Sequence, residues 1–228
     1  TSPINLTEFT QGELEQLLAA WGHPPWRARQ ILKWLMKGVG DFAQMTDISC
    51  SFRHELAARA CISRLRLEEQ LTAPDGCRKF LFALSDGNLI ESVLIPEEGH
   101  YTLCLSAQVG CAQGCRFCLT ARVGLVRNLT AGEMINQVLA ARAELPRDRP
   151  LTNLVFMGMG EPLENFQNVL GALEVIRSPL GLQFSNRRVT LSTAGIIPRM
   201  VELFSRAHFV QWAISLNAAT DEQRSELM

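Results

Sequence analysis

The chain has 228 residues, 47% hydrophobic and 20% charged, with a net charge of −1. That length accommodates one large and one small domain, and the charge balance excludes a global pull onto nucleic acid. No apolar run reaches the roughly 20 residues of a membrane span and no signal-peptide pattern opens the sequence. Seven cysteines, three of them within eight positions, suit metal or redox chemistry in a reducing cytoplasm better than a secreted disulfide framework.

The first 60 or so residues read as helices. Thr10 and Glu13 form a capping-box pattern ahead of Leu14, Leu17, Leu18 and Trp21, an apolar stripe at helical spacing that Gly22 and Pro24 terminate. A second helix is expected over Trp26–Lys37 with Ile31, Trp34 and Leu35 inward and Gly38 as its stop, and a third over Phe52–Ala60. Core packing is the expected role of Trp21, Trp26 and Trp34, ahead of base stacking. Between His23 and Arg66 stand eight basic residues (Arg27, Arg29, Lys33, Lys37, Arg53, Arg59, Arg64, Arg66) against Asp41, Asp47 and Glu55. This local excess is read either as a solvated face or as a phosphate-binding surface.

From Arg66 to Pro96 the period falls to two. Leu65–Leu67, Lys79–Ala83 and Leu89–Ile95 read as strands joined by turns at Asp75-Gly76 and Asp86-Gly87-Asn88. After His100, strands at Thr102–Ala107, Asn153–Met157, Arg188–Ser192 and Val210–Leu216 alternate with helices near Thr130–Glu144, Phe166–Ile176 and Ile197–Arg206. A further helix begins at Thr220. Such alternation implies βα units and a parallel sheet. The expected division is a helical segment 1–64, an antiparallel β connector 65–100 and an α/β core 101–228.

Cys111, Cys115 and Cys118, spaced C-x3-C-x2-C, follow the first strand of that core. Three thiolates on one loop can ligate three irons of a [4Fe–4S] cubane and leave the fourth iron open to a small molecule. A zinc centre lacks a suitably spaced fourth ligand, and an inert trio of thiols is the remaining alternative. Met157-Gly-Met-Gly-Glu-Pro162 is a glycine-rich turn that brings backbone close to a ligand or simply reverses the chain, and Glu161 can accept hydrogen bonds from an ammonium. By themselves, Cys104 reads as a small buried hydrophobe, Glu91 as a solvated strand residue, and Ser192 and Ser215 as strand-end hydrogen bonders. Cys50, Cys61 and Cys77 carry no catalytic pattern.

The cysteine triad is the signature of the radical S-adenosylmethionine (SAM) superfamily. Together with Thr102–Cys111, Arg127-Asn-Leu-Thr, Asn153–Pro162, Arg187–Gly195 and Ala213-Ile-Ser-Leu-Asn217, it closely resembles the RlmN/Cfr family of RNA methyltransferases. The resemblance implies a partial (βα)6 radical SAM barrel of about four βα units. It implies that Cys111, Cys115 and Cys118 hold the cluster, and that Gly160, Glu161, Ser192, Ser215, Leu216 and Asn217 bind SAM. The family more often has His at the position of Asn217. It further implies that Glu91 accepts a proton and that Cys104 resolves a protein–RNA adduct through a transient disulfide. The reaction implied is methylation of adenosine carbon 2 in 23S rRNA and tRNA through a methyl-cysteine, with two SAM per turnover, or of carbon 8 in the Cfr branch; a non-catalytic fragment that binds only RNA or a cluster is the remaining alternative. A reductant such as flavodoxin or ferredoxin and a monomeric state are expected. The methyl-carrying cysteine is expected beyond Met228, so the sequence reads as C-terminally truncated and inactive in methylation as written.

Overall fold

A computed structural model describes residues 3–146, 148–206 and 210–228. The helical segment opens with a short strand β1 (Ile4–Asn5), then α1 (Gln11–Ala20), α2 (Trp26–Leu35) and α3 (Cys50–Arg59), and closes with β2 (Ala60–Cys61), which pairs in parallel with β1. Thr10 caps α1 as expected: its hydroxyl accepts from the Glu13 amide, and the Glu13 carboxylate accepts from the Thr10 amide. Leu14, Leu18, Ile31, Leu35 and Leu56 are completely buried in a core of their own, each contributing roughly 1.5–3 kcal/mol. Trp21 and Trp34 pack against that core. Trp26 does not: it is 51% exposed, with the Arg27 guanidinium over its ring. Position 26 opens α2 on its solvent side, so the expected core role fails there. The third helix starts two residues earlier than expected because Ser49 accepts from the Phe52 amide and caps it.

The remaining strands are β3 (Arg66–Thr72), β4 (Arg78–Ala83), β5 (Leu89–Glu97), β6 (His100–Cys104), β7 (Gln108–Val109), β8 (Arg127–Asn128), β9 (Leu151–Phe156), β10 (Val189–Thr193) and β11 (Gln211–Ile214). Between them lie α4 (Leu119–Val123), α5 (Ala131–Ala143), α6 (Phe166–Arg177) and α7 (Ile197–Arg206), with α8 (Asp221–Leu227) last. Seven strands form one open sheet in the order β11-β10-β9-β6-β5-β4-β3. Strands β3 to β6 pair antiparallel, whereas β6, β9, β10 and β11 are parallel. The antiparallel strands are therefore not a separate connector. They extend the parallel sheet edge to edge, because β5 hydrogen-bonds directly to β6 from Val93↔Cys104 to Glu97↔His100.

Helices α5 and α6 cover one face of the sheet, where Phe80, Phe82, Ile90, Leu103 and Leu154 are buried. Alternation along each strand sends Glu91, Cys104 and Ser192 to the other face. Helix α5 is buried on nearly every side, since the helical domain covers its outer surface. Glu8 accepts from the Gly132 amide at 3.1 Å, and Arg64 donates to Asn136 and to the Leu35 and Val39 carbonyls at the end of α2. No helix among the described residues is long and apolar enough to cross a membrane.

Candidate cofactor site

Parallel strands place their carboxyl ends on one side, and there the loops after β6, β9, β10 and β11 converge. Strand β6 ends at Cys104 rather than Ala107, because Leu105–Gln108 turn to bond the glycine-rich loop after β9. The Gly158 amide donates to the Leu105 carbonyl at 2.9 Å, and the Ala107 and Gln108 amides donate to the Met159 carbonyl at 2.8 and 3.1 Å. A Cβ on Gly158 would lie 2.7 Å from the Leu105 carbonyl oxygen, and one on Gly160 would lie 2.4 Å from Gln108 Cβ. Gly160 also has φ +94°, which disfavours any side chain. Both glycines are therefore required for this close approach.

Glu161 is 4% exposed. Its Oε1 accepts from the Leu163 amide at 3.0 Å and its Oε2 from the Ala194 amide at 2.7 Å, tying the turn to the loop after β10. Ser192 Oγ and Ser215 Oγ lie 3.4 Å apart across β10 and β11. Leu216 is largely exposed, and its carbonyl accepts from Arg224 Nε. Asn217 has φ +59°, a left-handed conformation that Asn tolerates. Its side-chain amide folds back onto the Ser215 carbonyl at 3.3 Å and Met228 Sδ at 3.1 Å.

The cysteine loop leaves the same end. The Cys111 amide donates to Gly124 O, closing the loop at its base, and the Arg116 amide donates to Leu227 O, seating the loop against α8. Cys111 is buried, Cys115 and Cys118 are half-buried, and all seven cysteines are free thiols. Burial pushes the Cys111 thiol up from its ordinary range, with Glu164, Cys115 and Cys118 adding to the effect. Burial and then Cys118 raise Cys115 likewise. No group of three or more His, Cys, Asp or Glu among the described residues is arranged to hold a single metal ion. Three thiols on one loop, with Cys115 and Cys118 each acting on the ionisation of Cys111, are a donor set of the kind that a cluster takes when each of its irons binds a separate thiolate.

Glu91 and Cys104 sit on the sheet face away from α5. Lys79 Nζ donates to Glu91 Oε1 at 2.8 Å, and both side chains are partly exposed. Cys104 lies opposite Val93 on one side and Val155 on the other. Burial pushes its thiol up to about 11, against a smaller opposing hydrogen bond from the Met157 backbone. The site thus brings together Gly160, Glu161, Ser192 and Ser215, with the cysteine loop beside them and Cys104 at its entrance from β6. Asn217 turns its side chain onto its own loop.

Several residues of this site escaped the sequence reading. Gln108 is completely buried, accepting from the Glu161 amide at 2.8 Å and donating to Asn128 at 2.7 Å. Asn165 donates to the Ala107 and Leu129 carbonyls. Arg224 joins α8 to Leu216 O and Ala194 O. Polar residues embedded among apolar ones were the available signal for Gln108, whereas Arg224 sits in an ordinary polar helix and offered none.

Fold and site define an α/β protein whose cofactor face is the carboxyl end of a parallel sheet, approached by a loop of three thiols. Residues 4–62 match the "Ribosomal RNA large subunit methyltransferase N-terminal domain" and residues 105–228 the "Radical SAM superfamily". The "Dual-specificity RNA methyltransferase RlmN" of Syntrophotalea carbinolica is 52% identical over 99% of this chain and 60% of its own length. Its namesake from Geotalea uraniireducens is 50% identical over 99% of this chain and 64% of its own length. The crystal structure of a radical SAM methyltransferase from Sphaerobacter thermophilus superimposes with a TM-score of 0.90 at 41% identity, covering 99% of this chain and 67% of that one. The chain belongs to the radical SAM superfamily, and along nearly its whole length it is similar to proteins named as RlmN RNA methyltransferases. Members of this superfamily use a [4Fe–4S] cluster and SAM. The chain spans 60% to 64% of the length of the two RlmN relatives named.

Proposed function

We propose that the protein acts in methylating carbon 2 of an adenosine in 23S rRNA and tRNA, through a methyl-cysteine and with two SAM per turnover. The observation that carries this reading is the convergence of the cysteine loop, buried Glu161 and the Ser192–Ser215 pair at one sheet end, with Cys104 and Glu91 on the adjoining face. Cys111, Cys115 and Cys118 hold the cluster, which when bound supplies the electron that cleaves SAM. Gly160 and Glu161 receive the SAM ammonium, for which a buried carboxylate is a strong acceptor. Ser192, Ser215 and the backbone of Leu216 and Asn217 line the rest of that ligand. Glu91, oriented by Lys79, takes the proton from the adenine ring. Cys104 displaces the carrier cysteine by forming a transient disulfide, its partner thiol lying in the stretch of the relatives that this chain does not span. Seven free thiols suit a reducing cytoplasm, a flavodoxin- or ferredoxin-type reductant supplies the electron, and the protein works as a monomer.

The test has two stages. Anaerobic reconstitution should give about four irons per chain, and replacing any one of Cys111, Cys115 or Cys118 by Ala should abolish the visible absorbance. Full metal occupancy in Cys115→Ala would sink the cluster assignment. The chain joined to the remaining segment of an RlmN relative should then yield 2-methyladenosine in digested rRNA, detected by mass spectrometry. Exclusive 8-methyladenosine would move the target to carbon 8.

A further inference from the structure

A fully buried side-chain network joins β5, β6, α5 and the glycine turn, and none of the roles above uses it. Gln137 of α5 is 0% exposed, and so is Ser106, two residues past Cys104. Gln137 Oε1 accepts from Ser92 Oγ and from the Ser106 amide, both at 2.8 Å, and its Nε2 donates to the Ser106 carbonyl at 3.0 Å. Ser106 Oγ donates to the Glu91 carbonyl at 2.6 Å and accepts from the Met159 amide at 2.9 Å. Every donor named here has an acceptor. One hydroxyl therefore ties the main chain of Glu91 to the residue immediately before Gly160 and Glu161.

We propose that Ser106, locked in place by Gln137, is a positioning residue that holds the SAM-binding turn against Glu91 and Cys104. The inference rests on the SAM role given to Gly160 and Glu161. Gln137 grips Ser106 by both its amide and its carbonyl, which fixes the direction of the hydroxyl. The Met159 carbonyl is already taken by the Ala107 and Gln108 amides, so the amide and carbonyl of Met159 are both anchored to the segment after β6. Removing the hydroxyl takes the side-chain partner from two partly buried main-chain groups, Glu91 C=O and Met159 N–H. A buried polar group left unpaired is relieved by movement toward water. Of the two elements that the hydroxyl joins, the turn is the one that gives, because β5 is held between β4 and β6 whereas Met157 and Gly158 of the turn are exposed. Such movement carries Gly160 and Glu161 away from their ligand while leaving the sheet intact.

The test uses the full chain, reconstituted anaerobically, with Ser106→Ala and Gln137→Leu. Asn136→Ala serves as the comparison, because Asn136 neighbours Gln137 on α5 but bonds Arg64 and Ser63 of the helical domain. SAM affinity by equilibrium dialysis, hydrogen exchange at the Met159 amide and the urea midpoint are measured for each. Ser106→Ala should weaken SAM binding about tenfold or more and deprotect the Met159 amide. Gln137→Leu should show both effects more weakly. Asn136→Ala should lower the urea midpoint with SAM affinity within about twofold of the parent. Ser106→Ala that exposes Met159 yet binds SAM like the parent overturns the positioning role alone. A parent chain that holds its cluster but does not bind SAM overturns the SAM assignment beneath it. If Ser106→Ala does not fold, Gln137→Leu decides, and if neither folds the network is structural only and the proposal fails.

Discussion

Burial, rather than any charged neighbour, sets the resting state of Cys104. With its thiol pushed up to about 11, the group is neutral at physiological pH and is a poor nucleophile until a proton acceptor is supplied. Its folded value lies above the ordinary 9.0. The stabilising effect of keeping it neutral is therefore complete below about pH 9 and is lost as pH rises toward about 11. In cluster-free protein, alkylation of Cys104 by iodoacetamide should stay slow at pH 8 and rise close to tenfold per pH unit up to about 11. Peptide mass spectrometry follows it, with exposed Cys50 as the reference site. A rate that levels off below pH 9 would show that the thiol is not shielded as its surroundings require. At this scale the sequence named Cys104, Glu161 and the two glycines, but not what holds them. Gln108 and Glu161 meet across 53 positions, and Ser106 and Gln137 across 31. Local spacing carries no trace of such pairs, while a motif on one loop, such as the cysteine triad, is visible at once.

Elements were legible where their signals were local. The capping box at Thr10 stands where the sequence placed it, the helix expected from Thr130 starts there under a capping box of its own with Glu133, and the turn at Gly76 closes between β3 and β4. What period and propensity could not tell was where the antiparallel strands go. Pairing of β5 with β6 is a tertiary choice, made when the buried face of Ile90 and Leu94 joins that of Leu103 over α5. Nor could they show that α5 is enclosed on both sides. The seal there is tight: a Cβ on Gly132 would lie 2.6 Å from the Thr7 carbonyl oxygen and 2.8 Å from Glu8 Oε1. Gly132→Ala improves helix propensity by about 1 kcal/mol in isolation. Here the overpacking should dominate, at about 1–3 kcal/mol, because the obstructing atom is backbone. The expected result is a net loss of stability in urea unfolding, with separation of the helical domain visible as new proteolysis near residues 60–66. A Gly132→Ala variant more stable than the parent would mean that the two domains do not press together at α5.

At the scale of the whole molecule, charge must be counted after folding rather than along the chain. Of the eight basic residues between His23 and Arg66, several are committed. Arg64 is enclosed between the domains, where burial draws it down to about 10. Arg59 pairs with Glu55 at 2.7 Å, and Arg66 pairs with Glu68. Arg53 donates to the Ala43 carbonyl, and Arg27 lies over Trp26 and Phe52. Arg29, Lys33 and Lys37 remain exposed, and none of them forms an ion pair among the described residues. They recur every fourth position along α2 and just past its end, which sets them on one side of the helix. Lys37 also rests on the Trp34 ring at 4.2 Å. For the proposed RNA substrate, these three are the residues expected to contact phosphates, whereas reversing Arg64 is expected only to unseat the domain. Changing Arg29, Lys33 and Lys37 together to Glu should weaken RNA binding without regard to sequence. It should also lower the slope of log affinity against log salt by roughly 2–3, at 0.7–0.9 per phosphate contact. Filter binding between 50 and 200 mM salt measures both, and circular dichroism verifies that α2 is intact. If the folded triple variant keeps the parent's affinity and slope, RNA does not dock on this side of the helical domain, and the remaining exposed cations of the sheet domain must carry it.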